Sequence, residues 1–90
     1  NFRRLLFRSA YRENALHIAC ALETVGESSP AALRALGTGP KTRAILYDNV
    51  YGWFERVDRG VYRLQSAGRE ALAEYPDLAE HYRSEIRRLR

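Results

Sequence analysis

Two prolines ten residues apart, Pro30 and Pro40, constrain this chain more than any other feature. A proline inside a helix removes a backbone donor and clashes with the preceding turn, at about 3 kcal/mol. The segment around them therefore cannot be one continuous helix. At the first helical position proline is well tolerated, and Ser28-Ser29-Pro30 supplies a serine N-cap directly before it. A short helix is predicted from Pro30, with Leu33 and Leu36 on its buried side, stopping at Gly37. Thr38-Gly39 then turns the chain, and Pro40 restarts it for a helix over 40–50 that Gly52 ends. Two short helices joined by a glycine-bounded turn form a helix-turn-helix.

Beyond Gly52, Trp53 leads into Phe54-Glu55-Arg56-Val57, then Asp58-Arg59-Gly60, then Val61-Tyr62-Arg63-Leu64. A three-residue loop ending in a left-handed glycine commonly closes a β-hairpin. Alternation points Phe54, Tyr62 and Leu64 inward, and places Arg56, Arg59 and Arg63 on or near the hairpin tip. Trp53, at a helix-to-strand junction, is expected in the core.

Ahead of the helix pair, Tyr11, Ala15, Ile18, Ala19 and Leu22 recur at three- and four-residue steps. They predict a helix from about Ser9 to Thr24, ended by Gly26. Residues 1–8, with Phe2, Leu5 and Leu6 among three arginines, read either as a lead-in helix or as a linker. After the hairpin, Ser66 is expected to cap a helix over 67–75. A last helix starts at Pro76-Asp77, with a Leu78, Tyr82, Ile86 and Leu89 stripe that suits packing on residues 1–8, on a parent protein, or on a second copy.

The order helix, helix, turn, helix, hairpin, helices is that of an α+β, mostly helical winged helix-turn-helix with a small β-hairpin wing and an extra C-terminal helix. The helix-turn-helix and wing are assigned to residues 9–75, and 76–90 to a C-terminal packing or dimerisation helix. The second helix of such a pair commonly enters the DNA major groove. In the helix over 40–50, Thr42, Ile45, Leu46, Asn49 and Val50 lie on one side, while Lys41, Ala44, Tyr47, Asp48 and Tyr51 lie roughly opposite, with Arg43 on the shoulder. The expected duplex-DNA interface is Lys41, Arg43, Tyr47, Asn49, Arg56, Arg59 and Arg63. Lysine and arginine would hold phosphates, and Tyr47 and Asn49 would approach base edges.

The charge pattern qualifies that expectation. The chain carries a net +4, yet residues 9–75 hold eight basic and eight acidic side chains. Within 34–63 the balance is six basic against three acidic, so affinity for a polyanion must come from placement. A neutral core, Asp48 on the outward helix face, and Tyr47, Tyr51 and Trp53 favour the rival, a protein-interaction module on the same scaffold.

One cysteine, Cys20, excludes an intramolecular disulfide and fits a reducing, cytoplasmic setting. No apolar run approaches the roughly 20 residues needed to cross a bilayer, and no signal peptide is recognisable. A start at Asn1 and the absence of methionine suggest a piece of a longer protein. His17 and Cys20 share a helix face, but no third ligand lies near them in sequence. A buried cysteine beside a helix histidine is expected rather than a metal site. There is no Cys-x-x-Cys, His-Glu-x-x-His or glycine-rich phosphate loop, so neither a cofactor nor an active site is expected in these residues.

Tyr11-Arg12, Ala15-Leu16, Leu36-Gly37, Ile45-Leu46 and above all the run from Tyr51 to Tyr62, YGWFERVDRGVY, carry a family resemblance, continued by Leu64, Gly68 and Ala71-Leu72. Over about residues 11–75 the chain resembles the C-terminal part of bacterial phosphodiesterases of the PD-(D/E)xK nuclease superfamily. The resemblance implies a DNA-engaging accessory domain, not itself an enzyme, beside an N-terminal nuclease-like domain. The metal-binding acids and lysine of the family would belong to that other domain.

Overall fold

The computed structural model describes residues 2–90, with side chains described from Ala10 onward. The elements are α1 (Phe2–Val25), α2 (Pro30–Arg34), α3 (Thr42–Asp48), β1 (Phe54–Asp58), β2 (Val61–Leu64), α4 (Ser66–Glu74) and α5 (Pro76–Leu89). The fold is α+β and mostly helical, with a two-stranded antiparallel hairpin in a winged-helix-like layout. The backbone of residues 2–8 is helical and continuous with α1. The expected facing of Phe2, Leu5 and Leu6 lies outside the described side chains.

α1 is the centre of the molecule. Ala15, Leu16, Ile18, Ala19, Cys20, Ala21 and Leu22 are all buried, which is more than one stripe of a helix. The sequence reading found the Ala15, Ile18, Ala19 and Leu22 face and the buried Cys20, and missed Leu16 and Ala21. The reason is packing: α5 and α4 as well as α2, α3 and β2 contact this helix, so it has hardly any solvent face over 15–22. Small side chains at 15, 19, 20 and 21 suit such close approach.

Around α1 the two short helices sit at the predicted break. The Ser29 hydroxyl accepts from the Ala32 amide at 3.2 Å with Pro30 in the first turn, and Leu33 is fully buried. Gly37 (φ 88°) and Gly39 (φ 94°) take the left-handed conformations that the turn requires. The helix over 40–50 is shorter than expected: Pro40 lies in the turn, and α3 begins at Thr42 behind Lys41. Thr42 is what fixes this start. Its buried hydroxyl lies 2.5 Å from that of Thr38 and donates to the Gly39 carbonyl at 2.7 Å.

α3 ends at Asn49, a left-handed C-cap (φ 46°), ahead of the expected stop at Gly52. Ile45 and Leu46 are buried as expected. Val50, expected inward, is 66% exposed, because the helical register is already lost one residue before it.

β1 and β2 pair Phe54 with Leu64, Glu55 with Arg63 and Arg56 with Tyr62, then Asp58 with Val61, leaving Val57 as a bulge. Phe54, Tyr62 and Leu64 are buried, and Trp53 is in the core at 8% exposure. Tyr51 stacks on Trp53 at 4.6 Å between ring centroids, with Tyr11 edge-on beyond it. Tyr62 also exchanges backbone hydrogen bonds with Ser28 at 3.0 and 2.9 Å, which ties the hairpin to the α1–α2 connection.

α4 starts one residue early, with Gln65 rather than Ser66 in the capping position. α5 lies along α1 with Ala79 and Ile86 fully buried, and Arg83 makes a bidentate pair with Glu23 at 2.9 and 3.3 Å. Its apolar stripe is thus largely covered within the chain, with Leu89 still 53% exposed. Among the described residues, no helix is long and apolar enough to cross a membrane.

Candidate nucleic-acid interface

α2, α3 and the hairpin enclose an open cleft of about 940 Å³. α2 brings Arg34 to it, α3 brings Arg43, Ala44, Tyr47 and Asp48, and the hairpin brings Arg56, Arg59, Gly60 and Tyr62. Strand alternation explains why Arg56 arrives there. It follows Phe54 by two residues and pairs with Tyr62, so it continues the inward face of the sheet past the edge of the core.

The arginines of this cleft differ from four others in the molecule, although Arg12, Arg69 and Arg90 outside it also make no salt bridge among the described residues. Arg63, Arg83, Arg87 and Arg88 each hold a carboxylate, from Glu55, Glu23, Glu80 and Glu85 respectively. Arg34, Arg43, Arg56 and Arg59 make no salt bridge among the described residues. Arg56 only donates weakly to the Asp58 carbonyl at 3.4 Å. Asp58 holds the tip in shape by accepting from the Arg59 amide at 2.7 Å. Four exposed guanidinium groups from three elements thus face one concavity that contains a single acid, Asp48.

Of the seven residues expected at the interface, Arg43, Tyr47, Arg56 and Arg59 line the cleft. Tyr47 is 75% exposed. Lys41 is exposed at the start of α3 and lies outside the lining. Arg63 occupies the opposite face of the hairpin, where its Nε donates to Glu55 at 2.6 Å. Adjacent register positions on a strand point to opposite sides, so Arg56 and Arg63 cannot share a surface as expected.

Asn49 is not available to a base. Its amide nitrogen donates to the Phe54 carbonyl at 2.9 Å, and its carbonyl oxygen accepts from the Phe54 amide at 3.1 Å. The side chain fastens the end of α3 to the start of β1. Arg34 was missed in the sequence; its place in the last turn of α2, beside the restart at Pro40, was the available signal.

Elsewhere, Cys20 is buried, its thiol directed at the Ala79 carbonyl at 3.5 Å, and burial pushes that thiol up to about 11. His17 stacks on Tyr82 at 4.5 Å, and its Nε2 is buried without a hydrogen-bond partner among the described residues.

The model of a family described as "Putative PD-(D/E)XK phosphodiesterase (DUF2161)" matches residues 4–71, well over half of the chain. The chain belongs to that family. No curated protein and no solved structure matches it. Membership corrects the expectation that these residues are not an enzyme. The match runs over this chain itself, from α1 into α4, so the assignment to a nuclease-like phosphodiesterase falls on it directly.

A metal seat of the kind the family name implies does not fit the described side chains. The sole lysine, Lys41, follows Gly39-Pro40, so no Asp/Glu-x-Lys run exists. Among the described residues no three His, Cys, Asp or Glu side chains are grouped to hold a metal ion.

Proposed function

We propose that this chain is the duplex-holding part of a nuclease-like phosphodiesterase, built as a winged helix-turn-helix. α3 enters the major groove, and Arg34 on one side and the wing residues Arg56 and Arg59 on the other hold the sugar-phosphate backbones. The observation that carries this is the convergence of Arg34, Arg43, Arg56 and Arg59 from three elements on one cleft. The four cleft guanidiniums are left without carboxylates, which suits a polyanionic ligand that supplies the counter-charge. Binding to DNA also accords with a cytoplasmic setting.

The exposed end of α3, with Tyr47 and Val50 at 75% and 66%, favours the second reading, a protein-docking surface. Association of two copies through α5 would have Leu89 as its exposed apolar contact. One assay separates DNA from protein. Anisotropy with a labelled random-sequence duplex is followed for the wild-type chain and for the triple variant R34A/R56A/R59A. The triple variant is expected to bind more weakly at every salt concentration. Its log–log salt slope should be shallower by about 0.9 for each phosphate that is no longer neutralised. Equal affinity and slope in the two proteins would remove the cleft from the account.

A further inference from the structure

The face of α3 that lines the cleft is chemically mixed: Arg43, Ala44, Tyr47 and Asp48, two neighbouring pairs four residues apart and therefore one stripe. The flanks are not mixed. Their charged residues, Arg34 on α2 and Arg56 and Arg59 on the hairpin, are all arginine. A surface that only grips phosphates gains from more cations and loses from a carboxylate. Asp48 brings that loss into a cleft whose other charged lining residues are all arginines.

Structure offers no counterweight. Asp48 is the last residue of α3, where the helix macrodipole disfavours an anion. It is exposed, and its carboxylate makes no hydrogen bond or salt bridge among the described residues. Its charge does reach Tyr11, where it adds to burial in raising the phenol above its ordinary range. A solvent-facing acid that neither caps a helix nor pairs with a neighbour is well placed to accept from a ligand.

In a duplex major groove, the groups that a carboxylate can accept from are the exocyclic amines, and the cytosine N4 amine is its usual partner. Resting on the duplex reading above, we propose that Asp48 is a specificity-determining residue that accepts from a cytosine N4 amine at one position of the bound site. The guanidinium flanks set affinity, and the α3 stripe sets sequence.

The test is selection from a pool of duplexes carrying a randomised segment, with the wild-type chain, D48A and D48N, each first shown by circular dichroism to melt cooperatively. The wild type is expected to fix cytosine at one position, by roughly five- to a hundredfold over the other bases. D48A should lose that single preference, keep the rest of the motif, and bind unselected duplex more tightly because a repulsive charge is gone. D48N should move the same position towards adenine, since asparagine pairs with adenine N6 and N7. A merely structural aspartate would not switch base identity. A wild type that binds duplexes but enriches no motif, or a D48A that retains cytosine, overturns the selector and leaves duplex binding intact. A wild type that binds no duplex at low salt overturns the duplex reading and the selector together.

Discussion

Replacing Asn49 by alanine tests how much of this fold hangs on one amide. Asn49 makes two hydrogen bonds to the Phe54 backbone, at 2.9 and 3.1 Å, and holds a left-handed φ of 46°. Each hydrogen bond contributes about 1 kcal/mol net, and leaving the Phe54 amide without a partner adds to the cost. The Phe54 carbonyl still accepts from the Gln65 side-chain amide at 3.5 Å. A left-handed alanine costs about 1 kcal/mol more than a residue that tolerates that region. The sum is roughly 3 kcal/mol for Asn49→Ala. Asn49→Gly recovers the conformational part and should cost roughly 2 kcal/mol. For a domain of this size each kcal/mol moves Tm by about 4–8 °C. Thermal unfolding should therefore rank wild type, glycine variant and alanine variant, with the alanine variant lowered by roughly 12–24 °C. Duplex affinity, measured well below each Tm, should not change, because the amide faces Phe54 and not the cleft. A destabilisation under about 1 kcal/mol in both variants, or a glycine variant no better than alanine, would refute the reasoning. So would full stability with lost binding, which would return Asn49 to the interface.

Other consequences follow from the same packing. A Cβ at Gly68 would meet the Leu64 side chain and lie 2.8 Å from the Trp53 carbonyl, which the Gln65 amide already pins at 2.8 Å. Gly68→Ala should therefore destabilise by about 1–3 kcal/mol in a urea titration despite alanine's better helix propensity; an increase in stability would contradict that packing. Arg56→Ala should weaken duplex binding and flatten its salt slope by about 0.9, whereas Arg63→Ala, on the opposite face and paired with Glu55, should leave both nearly unchanged. Burial lowers the pKa of His17 below its ordinary 6.5, although the Leu36 carbonyl and Glu85 pull it upward and His81 adds to the lowering. The folded state thus binds the proton less readily than the unfolded state, so His17 costs stability progressively as pH falls below about 6.5. His17→Phe, which keeps a ring against Tyr82, should give a flatter Tm profile between about pH 7 and 5; identical profiles would refute the assignment.

The order of elements was legible because it is written in backbone chemistry: Ser29-Pro30, the glycines at 37 and 39, and Asp58-Arg59-Gly60 each leave few alternatives. Alternation likewise placed Phe54, Tyr62 and Leu64 inward, as found. The same alternation, followed one step further, would have put Arg56 and Arg63 on opposite faces; counting arginines near a turn hid it. Asn49 was misplaced because helical periodicity was extended through a residue whose left-handed cap had already ended the helix. The burial of Leu16 and Ala21 was not legible from α1 alone, since it depends on how α4 and α5 close over that helix. Arg34 escaped notice because it joins the cleft only when α2 and the hairpin are brought side by side.

Membership of a phosphodiesterase family overturned the expectation of a non-enzyme, which had rested on the absence of recognisable catalytic motifs. Among the described residues no three His, Cys, Asp or Glu side chains are grouped to hold a metal ion, while four arginines without salt bridges line one cleft. The proposed duplex binding is therefore the part of the function that these residues put most directly to the test.

That makes the salt dependence of duplex binding the most direct measurement. The 90-residue chain is titrated into a labelled random-sequence duplex from low to physiological salt. The account predicts micromolar or tighter binding at low salt, with a log–log slope of about −3 to −4 from four cleft arginines. No binding at low salt, or a slope near zero, would contradict it.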